Sequence, residues 1–233
     1  MSQEHIVKQY DTDLENIRTR VLQMGGLVER QIVDAMTGLT DGDGQLIDRT
    51  IANDHQVNRL EVELDEACTQ IIARRQPTAI DLRMVMMVVK TITDLERIGD
   101  EAKKIAKKAR LIHNGDTHFV PRIELRHVAG LAVDMLRQAL DAFARIDLQA
   151  AAQVVRQDRE VDAEFKGITR QLITFMMEDP RTISRSLDLL FIAKSIERIG
   201  DHAKNISEYV VYMAKGRDVR HIGLAEIEKE VAS

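Results

Sequence analysis

Glu96-Arg97-Ile98-Gly99-Asp100 returns, residue for residue, as Glu197-Arg198-Ile199-Gly200-Asp201. Around this core, residues 94 to 106 and 195 to 207 agree at eight of thirteen positions, among them Ala102 with Ala203, Lys103 with Lys204 and Ile105 with Ile206. Such agreement at a separation of 101 residues marks one unit built twice. The 233-residue length suits it, since two halves of roughly a hundred residues each fall within the usual domain size.

The unit is helical. No tryptophan, three prolines, three tyrosines and five phenylalanines, against abundant Leu, Ile, Val, Ala, Met, Glu, Lys and Arg, describe a helix former with almost no strand. Breaks fall at Asp41-Gly42-Asp43-Gly44, Gln76-Pro77, Asn114-Gly115-Asp116 with Pro121 after it, Ile146-Asp147 and Asp179-Pro180, leaving six helical segments between them. Thr78 with Asp81 reads as a capping box, Asp147 as an N-cap, and Asp179-Pro180 as an N-cap followed by an N1 proline. Segments this long are stabilised by lying side by side, and short connections make neighbours antiparallel. The expectation is an all-α chain of two tandem antiparallel three-helix bundles with a pseudo-twofold internal repeat. Residues 1–115 form the first bundle and 116–216 the second, while 217–233, where the apolar pattern fades, form a tail or a short extra helix.

The buried stripes are legible in the third and sixth segments. Val85, Val88, Ile92, Leu95, Gly99, Ala102, Ala106 and Ala109 keep the three-four spacing, as do Leu189, Ala193, Ile196, Gly200, Ala203 and Val210. Large residues give way to small ones, so a neighbouring helix is expected close to Gly99 and Gly200, offsetting the roughly 1 kcal/mol that a mid-helix glycine costs against alanine. Met84, Met86 and Met87, and the pair Met176 and Met177, read as core filler.

Several function classes drop out. A single cysteine, Cys68, excludes an internal disulfide and a cysteine-based zinc site, and points to a reducing compartment. The start, with Glu4, His5, Lys8, Asp11, Asp13 and Glu15, lacks the apolar core of a signal peptide, and the longest apolar run, Met84 to Val89, is too short to span a bilayer. A cytoplasmic protein is expected. A net charge of −5 argues against nucleic-acid binding through overall positive potential. The basic run Lys103, Lys104, Lys107, Lys108 and Arg110 complements the dipole at the end of its helix, or forms a patch for an anionic partner. There is no phosphate-cradling glycine loop or Gly-x-Ser-x-Gly elbow, and Glu124 with His127 is the one Glu-x-x-His pair where a di-iron site needs two.

What remains is carboxylate chemistry. Glu96 with Asp100 and Glu197 with Asp201 each place two anions one helical turn apart at the edge of a buried stripe, where they repel and call for a cation. Lys103, Lys104 and Lys204, each within a turn, supply one as salt bridges. Alternatively a hard metal ion does so, with Asp158 and Asp162 completing the second site and Asp54 with Asn58 the weaker first.

With the doubled Glu-Arg-Ile-Gly-Asp segment, the stretches RQPTAIDLR (75–83) and MMEDPRTISRSL (176–187) that open the third and sixth segments, and MAKGRDVRH (213–221) after the last, the chain resembles the PhoU family over nearly its whole length. The resemblance implies two helical bundles, a cytoplasmic and usually dimeric protein, and no enzymatic activity. It implies a negative regulator of the phosphate-starvation response that links the ATPase subunit of the high-affinity phosphate transporter to the phosphate sensor histidine kinase of a two-component system. Such a regulator restrains phosphate uptake and works at the inner membrane through its partners. Some members hold metal ions, Mg, Mn, iron or zinc, on the acidic motifs. By position that implies Glu96 with Asp100 and Glu197 with Asp201, extended by Asp158 and Asp162, with Asn58 standing where the second half has Asp162.

Overall fold

A computed structural model of the chain describes residues 8–115, 120–220 and 222–232. Glu4 and His5 of the polar start, Asp116 of the central turn and His221 of the last motif lie outside the described residues. The described chain is helical: α1 (Lys8–Asp41), α2 (Gly44–Arg75), α3 (Ala79–His113), α4 (Arg126–Arg145), α5 (Leu148–Glu178), a 3₁₀ turn (Pro180–Thr182), α6 (Ile183–Lys215) and α7 (Leu224–Ala232).

The boundaries follow from local chemistry. Asp43 opens α2 by accepting a bond from Leu46 N at 3.0 Å, and Asp147 opens α5 by accepting from Gln149 N and Ala150 N, each at 3.0 Å. Asp179 accepts from Arg181 N and so caps the 3₁₀ turn, with α6 starting three residues after Pro180 rather than at it. Thr78 departs from expectation: its side chain makes no cap bond, and the first turn of α3 is closed by Leu82 N donating to the Thr78 carbonyl. At the end of α4, Ile146 takes a left-handed conformation, φ 54°, costing a β-branched residue about 1 to 2 kcal/mol. That bend delivers Asp147 directly to the start of α5.

α3 and α6 form the centre. They run antiparallel, since Asp94 of α3 meets His202 of α6 while Lys108 meets Asp188. α1 and α2 flank α3, α4 and α5 flank α6, and α1 also touches α4, so two three-helix bundles share one continuous core. Every apolar residue of the two predicted stripes is buried, with Val85, Leu95, Ala102, Ile196, Ala203 and Val210 fully so. The repeat is visible in three dimensions: Gly99 faces Val57 of α2 and Gly200 faces Val161 of α5, equivalent residues of the two halves. Beyond Gly216 the chain stays packed, with Val219 and Ile227 buried and α7 lying on α5.

Two methionines depart from the core reading. Met87 is buried, but Met86 is 42% and Met177 is 80% exposed. Both belong to short exposed apolar stripes at the ends of the bundles. Leu82 and Met86 are one turn apart on α3, Ile173 and Met177 on α5, and Ile183, Leu187 and Phe191 follow at the same spacing on α6. Ile183 and Leu187 lie 101 residues after Leu82 and Met86, so the stripe belongs to the repeat.

Candidate functional site

The acidic residues sit where the helical wheel puts them, half-buried along the outer seam between the second and third helix of each half. In the first half Glu96 and Asp100 of α3 face Asp54 of α2, which is 3% exposed. Burial first, then the Asp100 and Asp54 charges, raise the pKa of Glu96. Glu61 of α2, which sequence reasoning missed, joins this group: burial and then Glu96 push its pKa up too. In the second half Asp201 is raised by burial, then by Glu197 and Asp158. Asp162 is half-buried one turn beyond Asp158, and among the described residues no ion pair reaches it.

A lysine crosses each seam. Lys103 Nζ donates to Asp54 Oδ2 at 2.6 Å and lies 3.8 Å from Asp100 Oδ1, while Lys204 Nζ donates to Asp158 Oδ2 at 2.7 Å. These pairs occupy equivalent positions of the repeat, α2 to α3 and α5 to α6, one turn from the Val57–Gly99 and Val161–Gly200 contacts. Lys194 closes the second group by pairing with Glu197, and its ammonium lies over the Phe165 ring at 5.4 Å. The bond to Asp54 is the chief cause holding the Lys103 ammonium above its usual pKa. For Lys204 burial is the largest single cause and works against the charge, but the Asp158 bond together with the Asp158, Glu208 and Asp201 charges outweighs it and the net shift is upward.

The sequence paired the lysines only with their own helices. The lysine stem reaches the neighbouring helix instead, where a nearly dry carboxylate competes better than a half-wet one. Among the described residues no three of His, Cys, Asp and Glu converge on a point where they could hold a metal ion. Of the six residues, Asp100, Asp158 and Glu197 pair with a lysine, while among the described residues no ion pair reaches Glu96, Asp201 or Asp162, so the six are not gathered around one cation.

The basic run at the end of α3 is largely spent on pairing. Lys104 bonds Glu101 and Arg110 bonds Asp48, while Lys108 bonds Asp188 at 2.9 Å and lies over the Phe191 ring. Cys68 is fully buried, and burial pushes its thiol pKa up to about 12, so it behaves as a small core residue.

A second polar group lies between the halves. His202 donates from Nδ1 to Asp94 Oδ1 at 2.6 Å, Asn205 adds a bond to the same oxygen, and Glu101, 2% exposed, pairs with Arg198 of α6 at 3.0 Å. The signal for it was in the repeat itself. His202 stands where the first copy has Glu101, and Ser195 where it has Asp94. The two copies diverge where they face each other.

Comparison with known proteins agrees with this architecture. The family model described as the PhoU domain matches twice, over residues 21–109 and 125–210. The chain is 52% identical over 226 residues to the phosphate-specific transport system accessory protein PhoU of Serratia marcescens, covering 97% of this chain and 93% of that one. Its fold superposes on the crystal structure of PhoU from Pseudomonas aeruginosa with a TM-score of 0.85 at 45% identity, covering 89% of this chain and all of that one. The phosphate transport system regulatory protein PhoU from Streptococcus pneumoniae gives a TM-score of 0.84 at 26% identity, covering 90% of this chain and 99% of that one.

Proposed function

The chain belongs to the PhoU family, and on that footing we propose that it is a negative regulator of the phosphate-starvation response, an adaptor between the phosphate transporter and a sensor kinase. The observation that carries the proposal is the doubled domain match together with full-length similarity to accessory proteins of the phosphate-specific transport system, which places the chain in the regulation of phosphate transport. The finer reading is that it contacts the ATPase subunit of the transporter and the phosphate sensor histidine kinase, and lowers both uptake and kinase output when phosphate is plentiful.

The structure supports a binding role in physical terms. Two bundles sharing one core make a stiff body about 50 Å long, as set by the 34 residues of α1. Each half presents an exposed apolar stripe, Leu82 with Met86 and Ile183 with Leu187, the second continued along α6 by Phe191. Exposed apolar side chains on a rigid scaffold suit protein contact. No described helix is long and apolar enough to cross a membrane, so in this reading the chain reaches the membrane through its partners, as a homodimer.

The test is a binding experiment. Immobilised chain is expected to retain the transporter ATPase and the kinase separately, and to bring the two together when neither retains the other alone. Folded chain that retains neither partner would remove the adaptor reading.

A further inference from the structure

We infer that Lys103 and Lys204 are the resident counter-ions of the two acidic seams, standing where the family resemblance implies metal, and that this chain holds no structural metal there. The first ground is repetition. The same lysine of each repeat meets the same aspartate of the neighbouring helix, at 2.6 Å in one half and 2.7 Å in the other. Two halves that have diverged at Glu101 and His202 have both kept this pair.

The second ground is burial. Asp54 is 3% and Asp158 is 7% exposed, and a carboxylate that dry must be paired. The ammonium pairs one oxygen of each, although Asp54 Oδ1 stays buried without a partner, and it ties the second helix of each bundle to the third beside the glycine contact. The third ground is exclusion. A hard divalent ion needs several oxygens at about 2.0 to 2.6 Å, converging from more than one side. Here one oxygen of each key aspartate is already within 2.7 Å of a nitrogen that carries a positive charge, and that charge repels any ion approaching Asp100 or Asp201. An ammonium tethered by its own chain is never diluted away, whereas a metal ion is held only in proportion to its concentration.

The inference is tested on untagged, full-length protein, by elemental analysis and by thermal unfolding with Mn²⁺, with Mg²⁺ and with excess chelator. The expected result is well under one metal ion per chain and the same unfolding midpoint in all three. Substituting Lys103→Met and Lys204→Met keeps the stems and removes the charges, and should strengthen Mn²⁺ binding at least about tenfold in a calorimetric titration, with a midpoint that now rises with added metal. If the double variant does not fold, the single variants are titrated, and the wild-type measurement stands by itself. Stoichiometric metal in the wild type with a midpoint that falls on chelation, or equal Mn²⁺ affinity with and without the lysines, would overturn the inference.

Discussion

Asp94 and His202 meet at 2.6 Å across the boundary between the two halves, one from each central helix, with side chains 7% and 9% exposed. Asn205 donates to the same oxygen at 3.3 Å, so one carboxylate gathers two donors from a single face of α6. This fixes the register in which the bundles join, because a shift of one turn would strand a buried carboxylate.

Replacing Asp94 by alanine should therefore cost about 2 to 4 kcal/mol, since it leaves buried donors unpaired. For a chain of this size that is a fall in unfolding midpoint of about 5 to 15 °C. A double-mutant cycle with His202→Ala should give a coupling of about 1 to 3 kcal/mol. Additive effects of the two substitutions would show that the contact does not hold the halves together.

The glycines of the repeated motif give a graded prediction. A Cβ added at Gly200 would lie 3.4 Å from Val161 and 3.7 Å from Met135 Sδ, which is ordinary contact. Gly200→Ala should be neutral or stabilising by up to about 1 kcal/mol through helix propensity, whereas Gly200→Leu should cost about 1 to 3 kcal/mol by overpacking. At Gly99 the added atom would meet Gln31 Oε1 at 3.1 Å, so Gly99→Ala should be the less favourable of the two alanine variants. Equal midpoints for Gly200→Leu and the wild type would mean that α5 and α6 do not approach as described.

Glu208 makes stability depend on pH. It is 5% exposed, and burial pushes its pKa up to about 7 despite the nearby Lys204 and Arg220. Because the folded value lies above the ordinary 4.5, the folded state binds the proton more tightly than the unfolded one. Its contribution is complete below about pH 4.5 and is lost as pH rises through about 7. Glu208→Gln should thus stabilise the protein at pH 8 by about 1 to 2 kcal/mol and leave it little changed at pH 4.5. A variant less stable than wild type at pH 8 would show that the ionised carboxylate is being held by Lys204 and Arg220.

How much of this was legible beforehand depends on the distance over which each interaction acts. The stripes from Val85 to Ala109 and from Leu189 to Val210 are periodic along one helix, and every member is buried. Asp147 caps its own helix, a contact that spans three residues, and it forms as expected. Thr78 offered the same kind of pattern, but the backbone closed that turn without it. Composition alone suggested that Met86 and Met177 fill the core; whether a methionine faces inward depends on the helix face it falls on, and on α3 that face is held by Met87.

The candidate site shows the same limit. Glu96, Asp100, Glu197 and Asp201 were found from spacing within one helix, and they lie at the seam edges. The bonds of Lys103 to Asp54 and Lys204 to Asp158 join residues 49 and 46 apart, and the bond of His202 to Asp94 spans 108. No local pattern encodes such partners. The internal repeat was the one long-range signal, and it located the equivalent pairs once one of them was known.

The most direct test of the central claim is made in cells lacking their own copy of this regulator, grown with excess phosphate and carrying a reporter of the phosphate-starvation response. The reporter should be high without the chain and fall to its repressed level when the chain is supplied. A reporter that stays high in the presence of folded, well-expressed chain would contradict the account.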